Sequence, residues 1–146
     1  MRIRLFFACL FLLGAALVVA VGLSAQQSGS SAGSRDVARG EYLVRDVAMC
    51  WQCHTPRRSD GSVDDARWLL GGPVVIEPMR PVENWADVAP RIAGLPPDTD
   101  QQFITLMTTG IARTGRPPRP PMPQFHLTRR DAEAVLAYLK SLRPRG

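Results

Sequence analysis

The chain has 146 residues, room for one domain of ordinary size and a leader but not for two domains with independent cores. Thirteen prolines and twelve glycines point to a loop-rich fold with a limited apolar interior. The formal charge is +5 from 18 basic and 13 acidic residues, and without Arg2 and Arg4 the balance is 16 against 13, which does not suit a nucleic-acid-binding protein.

Arg2 and Arg4 precede an uncharged run of 19 residues, Leu5 to Leu23, and Ser24-Ala25 then supplies small residues for cleavage. The pattern is that of a secretory signal, yet as a helix the run would reach about 28 Å, close to the hydrocarbon thickness of a bilayer. Residues 1–25 therefore read as a signal peptide or an N-terminal membrane anchor through residues 5–23. Both readings place the rest of the chain on the exported side, in a bacterial periplasm, either soluble or tethered to the inner membrane. Residues 26–34 (QQSGSSAGS) read as a flexible linker, and the remaining domain is residues 35–146.

Ser34 is a candidate N-cap for a helix from about Arg35 to Met49. Val37, Gly40, Val44 and Val47 fall on one face. Gly40 is costly inside a helix, and a close helix crossing would explain it.

Cys50-Trp51-Gln52-Cys53-His54 follows, a C-x-x-C-H motif. A bare C-x-x-C also suits a thioredoxin-like dithiol or half of a zinc site. The dithiol reading expects a strand before the motif, where none is legible. The zinc reading needs two further ligands, yet Cys9 lies in the apolar leader and His126 is the only other histidine. With the histidine included, the motif is the attachment signal for a c-type haem. Each thiol adds to one vinyl group of the porphyrin, and the adjacent imidazole is carried beneath the iron.

Thr55 to Arg67 shows no sustained period and reads as a loop. Ile76 to Pro97 is broken by proline, with Asn84-Trp85-Ala86-Asp87-Val88 as a possible helical turn. Trp51, Trp85 and Arg91 are donors that would suit propionates, core or solvated surface equally. Thr99-x-x-Gln102 has the form of a capping box for a helix carrying Phe103, Leu106 and Met107, with Gly110 as its stop. Gly115 to Phe125 (GRPPRPPMPQF) must be extended, and it carries Met122 between Pro121 and Pro123. Thr128-x-x-Asp131 caps a final helix whose stripe is Ala132, Val135, Leu136, Leu139 and Leu142.

From the C-x-x-C-H motif, the methionine loop and the two terminal helices, the chain resembles the class I cytochrome c family over about Arg35 to Leu142. The Gly-Gly-Pro and Pro-Met-Pro segments look most like the cytochrome subunits that serve membrane-associated dehydrogenases. The resemblance implies an all-α fold, with helices around one covalently bound haem c and a hydrophobic leader helix in front. It implies that Gly40 faces an aromatic of the last helix, here Tyr138. It also implies that the carbonyl of Gly72-Pro73 accepts from the proximal histidine. Cys50 and Cys53 would hold the macrocycle, and His54 and Met122 would ligate the iron.

The implied function is that of a monohaem cytochrome passing single electrons between redox proteins, a dehydrogenase subunit or a terminal oxidase among them, rather than an enzyme in itself. The alternative is a haem-based peroxidase or gas sensor with an open sixth position, for which His126 is the one candidate distal base. Among rival ligands, Met79 lies in a second Pro-flanked segment, Met107 on an apolar helix face, and Met49 is expected to point away with its helix. Arg113, Arg116, Arg119, Arg129 and Arg130 flank the methionine loop and offer charge for steering an acidic partner.

Overall fold

The computed structural model describes residues 33–142 other than Leu95 and Pro97. The leader and most of the linker lie outside the described residues. Four helices and one small ladder make the fold. Helix α1 covers residues 33–42 and continues into a π-turn, Leu43–Val47. Helix α2 is the single turn Trp51–His54, α3 is Asp100–Thr109 and α4 is Arg129–Ser141. Among the described residues no helix is long and apolar enough to cross a membrane.

Two expectations for the first helix need correction. Gly33 and Ser34, assigned to the linker, are already helical, so Ser34 does not cap α1. The helix also does not run regularly to Met49. Ala48 N–H donates to Leu43 O at 2.8 Å, five residues back, and Cys50 N–H donates to Val44 O at 3.0 Å. Met49 itself sits in the left-handed region at φ 47°, a costly conformation for a side chain with a Cβ. The widened turn and this reversal aim the chain from α1 into α2.

α3 and α4 form where their caps and stripes predict. Thr99 accepts from Gln102 N–H while Gln102 Oε1 accepts from Thr99 N–H, the complete capping box. Gly110 ends α3 in the left-handed conformation. Thr128 Oγ1 accepts from Asp131 N–H and starts α4. The apolar faces of α3 (Phe103, Ile104, Met107) and α4 (Val135, Leu136, Leu139) meet in the core with Leu43 and Val44. Lys140 and Asp100 join α4 to α3 at 2.6 Å, and Arg39 and Asp131 join α1 to α4 at 3.0 Å. Both pairs are exposed enough that solvent screening leaves each a weak contribution.

Gly40 is what lets α1 and α4 cross. A Cβ built there would lie 2.0 Å from Ala134 O and 2.8 Å from Tyr138 Cβ. The expected pairing of Gly40 with Tyr138 is borne out.

The fold is not purely helical. Gly72–Pro73 (β1) pairs antiparallel with Val88–Ala89 (β2), in register Gly72 to Ala89 and Pro73 to Val88. Asn84 to Val88 is thus not a helical turn: Asn84 is left-handed at φ 58°, which a continuing helix forbids. Gly71 makes the ladder possible. It sits at φ 78°, and a Cβ there would meet Arg91 N at 2.6 Å and Ala89 O at 2.7 Å. The strand after β1 therefore passes directly against its backbone.

Replacing Gly40 by Ala removes a poor helix former, which alone would gain about 1 kcal/mol. Because the clash is with backbone, the prediction is a net loss on the order of 1–3 kcal/mol, read as a lower unfolding midpoint by circular dichroism. An unchanged or raised midpoint contradicts the close crossing.

Candidate functional site

A cavity of about 460 Å³ opens between the helices and the long loops. It is lined by Cys50, Cys53 and His54 from the motif, and by Phe103, Leu106 and Met107 from α3. Val135 and Leu139 of α4, Val74 to Ile92 in part, and Pro121, Met122 and Pro123 of the proline loop complete it. All four residues singled out by the sequence thus share one cavity. Its size falls in the range of roughly 300–1,000 Å³ that holds cofactors, and the lining is mostly apolar, as a porphyrin face requires.

The motif residues come from α2 and from Cys50, its N-cap. A helical turn puts residues three apart on neighbouring positions of one face, so Cys50 and Cys53 both reach the cavity while His54 follows into the interior. The two cysteines are not joined in a disulfide. Burial pushes the Cys50 thiol up to about 11, so it is a protonated thiol, not a redox-active thiolate. Among the described residues no group of three or more His, Cys, Asp and Glu side chains is placed to hold a metal ion.

His54 is 9 % exposed and its Nδ1 lies 2.7 Å from Pro90 O. A carbonyl can only accept, so Nδ1 carries the proton and Nε2 keeps its lone pair. Burial lowers the His54 pKa and outweighs the Pro90 carbonyl, which acts in the opposite sense. A neutral imidazole with a free Nε2 is the form that ligates a metal.

The carbonyl partner is a correction. Gly72-Pro73 does not supply it. Instead Gly71 N–H donates to His54 O at 2.7 Å, and the close approach at Gly71 lets residues 89–91 run past and present Pro90 O to the ring. Leu69, fully buried and left-handed at φ 57°, anchors that strand: its carbonyl accepts from Ile92 N–H and Ala93 N–H at 3.0 and 3.1 Å. Nothing in the spacing of the sequence marks Pro90, because the contact spans 36 residues and uses only the backbone carbonyl of Pro90.

The rival ligands separate by position. Met79 is fully exposed, and His126 is exposed and outside the cavity lining, so neither faces the site. Met107 lines the cavity but is packed into the core at 3 % exposure. Met49, expected to point away, also lines the cavity, since the left-handed turn brings it round; its Sδ accepts from Gln52 Nε2 at 3.3 Å.

The indole donors are committed elsewhere. Trp51 Nε1 donates to Arg45 O and Trp85 Nε1 to Ile76 O. Arg91 Nε donates to Ala93 O. Trp51 stacks on Trp68 at 6.4 Å, with the Arg45 guanidinium over the Trp68 ring. The five arginines near the methionine loop are only partly available for a partner. Arg113 pairs with Asp98 and Arg129 with Glu133, while Arg119 donates to the carbonyls of Asn84 and Trp85.

Comparison with known proteins agrees with this geometry. The sequence pattern of the family described as Cytochrome c matches residues 37–143. The cytochrome c subunit of a quinone alcohol dehydrogenase from Gluconacetobacter polyoxogenes is 29 % identical over 117 residues, covering 75 % of this chain and 25 % of that protein. The corresponding subunit from Gluconobacter oxydans (strain 621H) is 34 % identical over 80 residues, covering 51 % and 16 %. The fructose dehydrogenase cytochrome subunit of Gluconobacter japonicus is 27 % identical over 117 residues, covering 73 % and 22 %. The chain spans a quarter or less of the length of these relatives. With the family pattern spanning the whole described fold and the C-x-x-C-H motif set in its cavity, the chain belongs to the cytochrome c family and is a c-type cytochrome resembling the cytochrome subunits of dehydrogenases.

Proposed function

We propose that this protein is a monohaem electron carrier on the exported side of the membrane, and that it exchanges single electrons with redox proteins such as a dehydrogenase subunit or a terminal oxidase. The observation that carries the reading is the convergence of Cys50, Cys53, His54 and Met122 on one apolar cavity. A covalently bound haem c there supplies a reversible one-electron couple.

The chain's own residues have four tasks. Cys50 and Cys53 attach the macrocycle, which stabilises a domain with a small apolar core. His54 offers Nε2 to the iron, with its ring held by Pro90 O at 2.7 Å. Met122 offers a thioether from the facing loop, and a His/Met pair raises the potential. The apolar side chains of α3 and α4 keep water from the site, which likewise favours the less charged reduced state.

The similarity to dehydrogenase cytochrome subunits supports a dehydrogenase as electron donor. The signal or anchor read in residues 1–25 supports export. Steering of an acidic partner would fall chiefly to Arg116, which forms no ion pair among the described residues, to Arg130, whose charge also acts on Asp131, and to Arg119 at the cavity.

Three results are expected. Acid–acetone should leave the haem on the wild-type protein matured in a competent host, and Cys50→Ala with Cys53→Ala should release it; full extraction from the wild type contradicts attachment. Met122→Leu should keep the haem but lose the weak far-red thioether band, bind carbon monoxide when reduced and show a lower potential, whereas Met49→Leu and Met107→Leu should keep the band. Persistence of the band in Met122→Leu contradicts the sixth-ligand assignment.

The third concerns pH. The folded pKa of His54 lies below its unfolded value, so its contribution to stability is complete above that value and is lost as pH falls below it. In protein carrying no haem, where His54 is not held by iron, the denaturant midpoint should therefore decline from about pH 7.5 to about pH 5, a window above the carboxylate range. A midpoint that is flat or rising there contradicts a buried neutral His54.

A further inference from the structure

The methionine loop has an internal difficulty. Five of the residues between Gly115 and Phe125 are prolines, which donate no backbone hydrogen bond. Between Arg116 and Phe125, beyond the bond from Ala112 N–H to Arg116 O at 2.8 Å where the loop begins, the backbone–backbone bonds among the described residues are Met122 N–H to Arg119 O at 3.2 Å and Ala86 N–H to Pro120 O at 2.7 Å. The first is a local turn. The second comes from outside the loop, from the segment that follows Asn84. Proline limits where the loop can go but does not tie it to the cavity.

Gln124 Nε2 fastens the far end of the loop to Gly110 O at 3.3 Å, and Arg119 supplies the tie beside Met122. Its Nε donates to Asn84 O at 3.0 Å and its Nη2 donates to Trp85 O. Both acceptors are consecutive backbone carbonyls, and Ala86 N–H returns the bond to Pro120, the next residue of the loop. Three hydrogen bonds thus join residues 84–86 to residues 119–120, two positions before Met122. The planar guanidinium presents its donors to both carbonyls in a fixed fork, a geometry the rotatable donors of a lysine ammonium do not hold. Among the described residues Arg119 has no carboxylate within ion-pair distance, and its partners are the two backbone carbonyls.

The receiving side is prepared for it. Asn84 is left-handed at φ 58°, a conformation that asparagine tolerates far better than a β-branched residue. That turn sets the direction of the Asn84 and Trp85 carbonyls.

We propose that Arg119 is a positioning residue for the sixth ligand: by clamping residues 119–120 to residues 84–86 it holds Met122 at the cavity and so strengthens a thioether bond that is weak in itself. The inference rests on the reading of Met122 as the iron ligand. Its physical basis is that ordering a loop in advance removes the cost of ordering it at each binding event.

The test uses the holoprotein in its oxidised form with imidazole as the competing ligand. Arg119→Gln and Arg119→Lys should both bind imidazole on the order of three- to tenfold more tightly than wild type, because Met122 is displaced more easily. Both should also show faster amide hydrogen exchange in the peptide covering 115–125. Arg116→Gln, in the same loop but outside the clamp, should match wild type. Asn84→Gly should match wild type as well, and Asn84→Val should behave like Arg119→Gln without touching the arginine.

Wild-type behaviour of Arg119→Lys would show that charge alone matters and overturn the clamp. Wild-type imidazole affinity in Arg119→Gln, beside a large gain in Met122→Leu, would overturn the clamp while leaving the ligand in place. Wild-type affinity in Met122→Leu itself would overturn the ligand assignment and the clamp with it.

Discussion

The contact between His54 Nδ1 and Pro90 O decides the chemistry of this fold. A histidine beside two cysteines is only a list of donors until one tautomer is selected. The carbonyl selects it, and burial keeps the ring neutral. Much of the loop architecture serves to put Pro90 there. Leu69 holds the backbone of residues 92–93 with a single carbonyl, Thr55 Oγ1 accepts from Leu69 N–H, and Gly71 lets the passing strand come within contact of its Cα. The left-handed Leu69 costs on the order of 1–3 kcal/mol, which its burial and hydrogen bonds offset.

The two walls of the cavity are built by different physics. The helical wall is rigid because α3 and α4 are capped at their starts and α4 meets α1 at a glycine with no room to slide. The loop wall has little regular structure and depends on a few bonds between segments: Ala86 to Pro120, Arg119 to Asn84 and Trp85, and Gln124 to Gly110. An electron carrier gains from that division. Under the proposed function the proximal ligand stays fixed, while the proposed distal one sets the potential through a weak bond whose strength the loop can tune.

Much of this could be read from residues alone, and the limits have a physical pattern. Local rules succeeded: both threonine caps, the Gly110 stop, the apolar stripes and the C-x-x-C-H turn depend on neighbours within four residues. Gly40 was also legible, because a helix-interior glycine demands a reason and a close crossing supplies it. The local failures were the Ser34 cap and the end of the first helix, and the others depended on backbone partners distant in sequence. Gly72-Pro73 looked like the histidine's acceptor because the resemblance pointed there, yet the acceptor is a carbonyl, and every residue has one. The π-turn and the left-handed Met49 carried no composition signal and moved Met49 from the outside to the lining. The strand pair at 72–73 and 88–89 was too short to leave a period. Arg119 was noticed only as charge; its role as a clamp needed the positions of two carbonyls 34 and 35 residues away.

The central claim is that a single haem iron sits between His54 and Met122. Iron K-edge X-ray absorption tests it most directly, on protein carrying Met49→Leu, Met79→Leu and Met107→Leu, so that Met122 is the sole methionine beyond Met1. One sulfur among six iron neighbours is the predicted result, and a first shell without sulfur would contradict it.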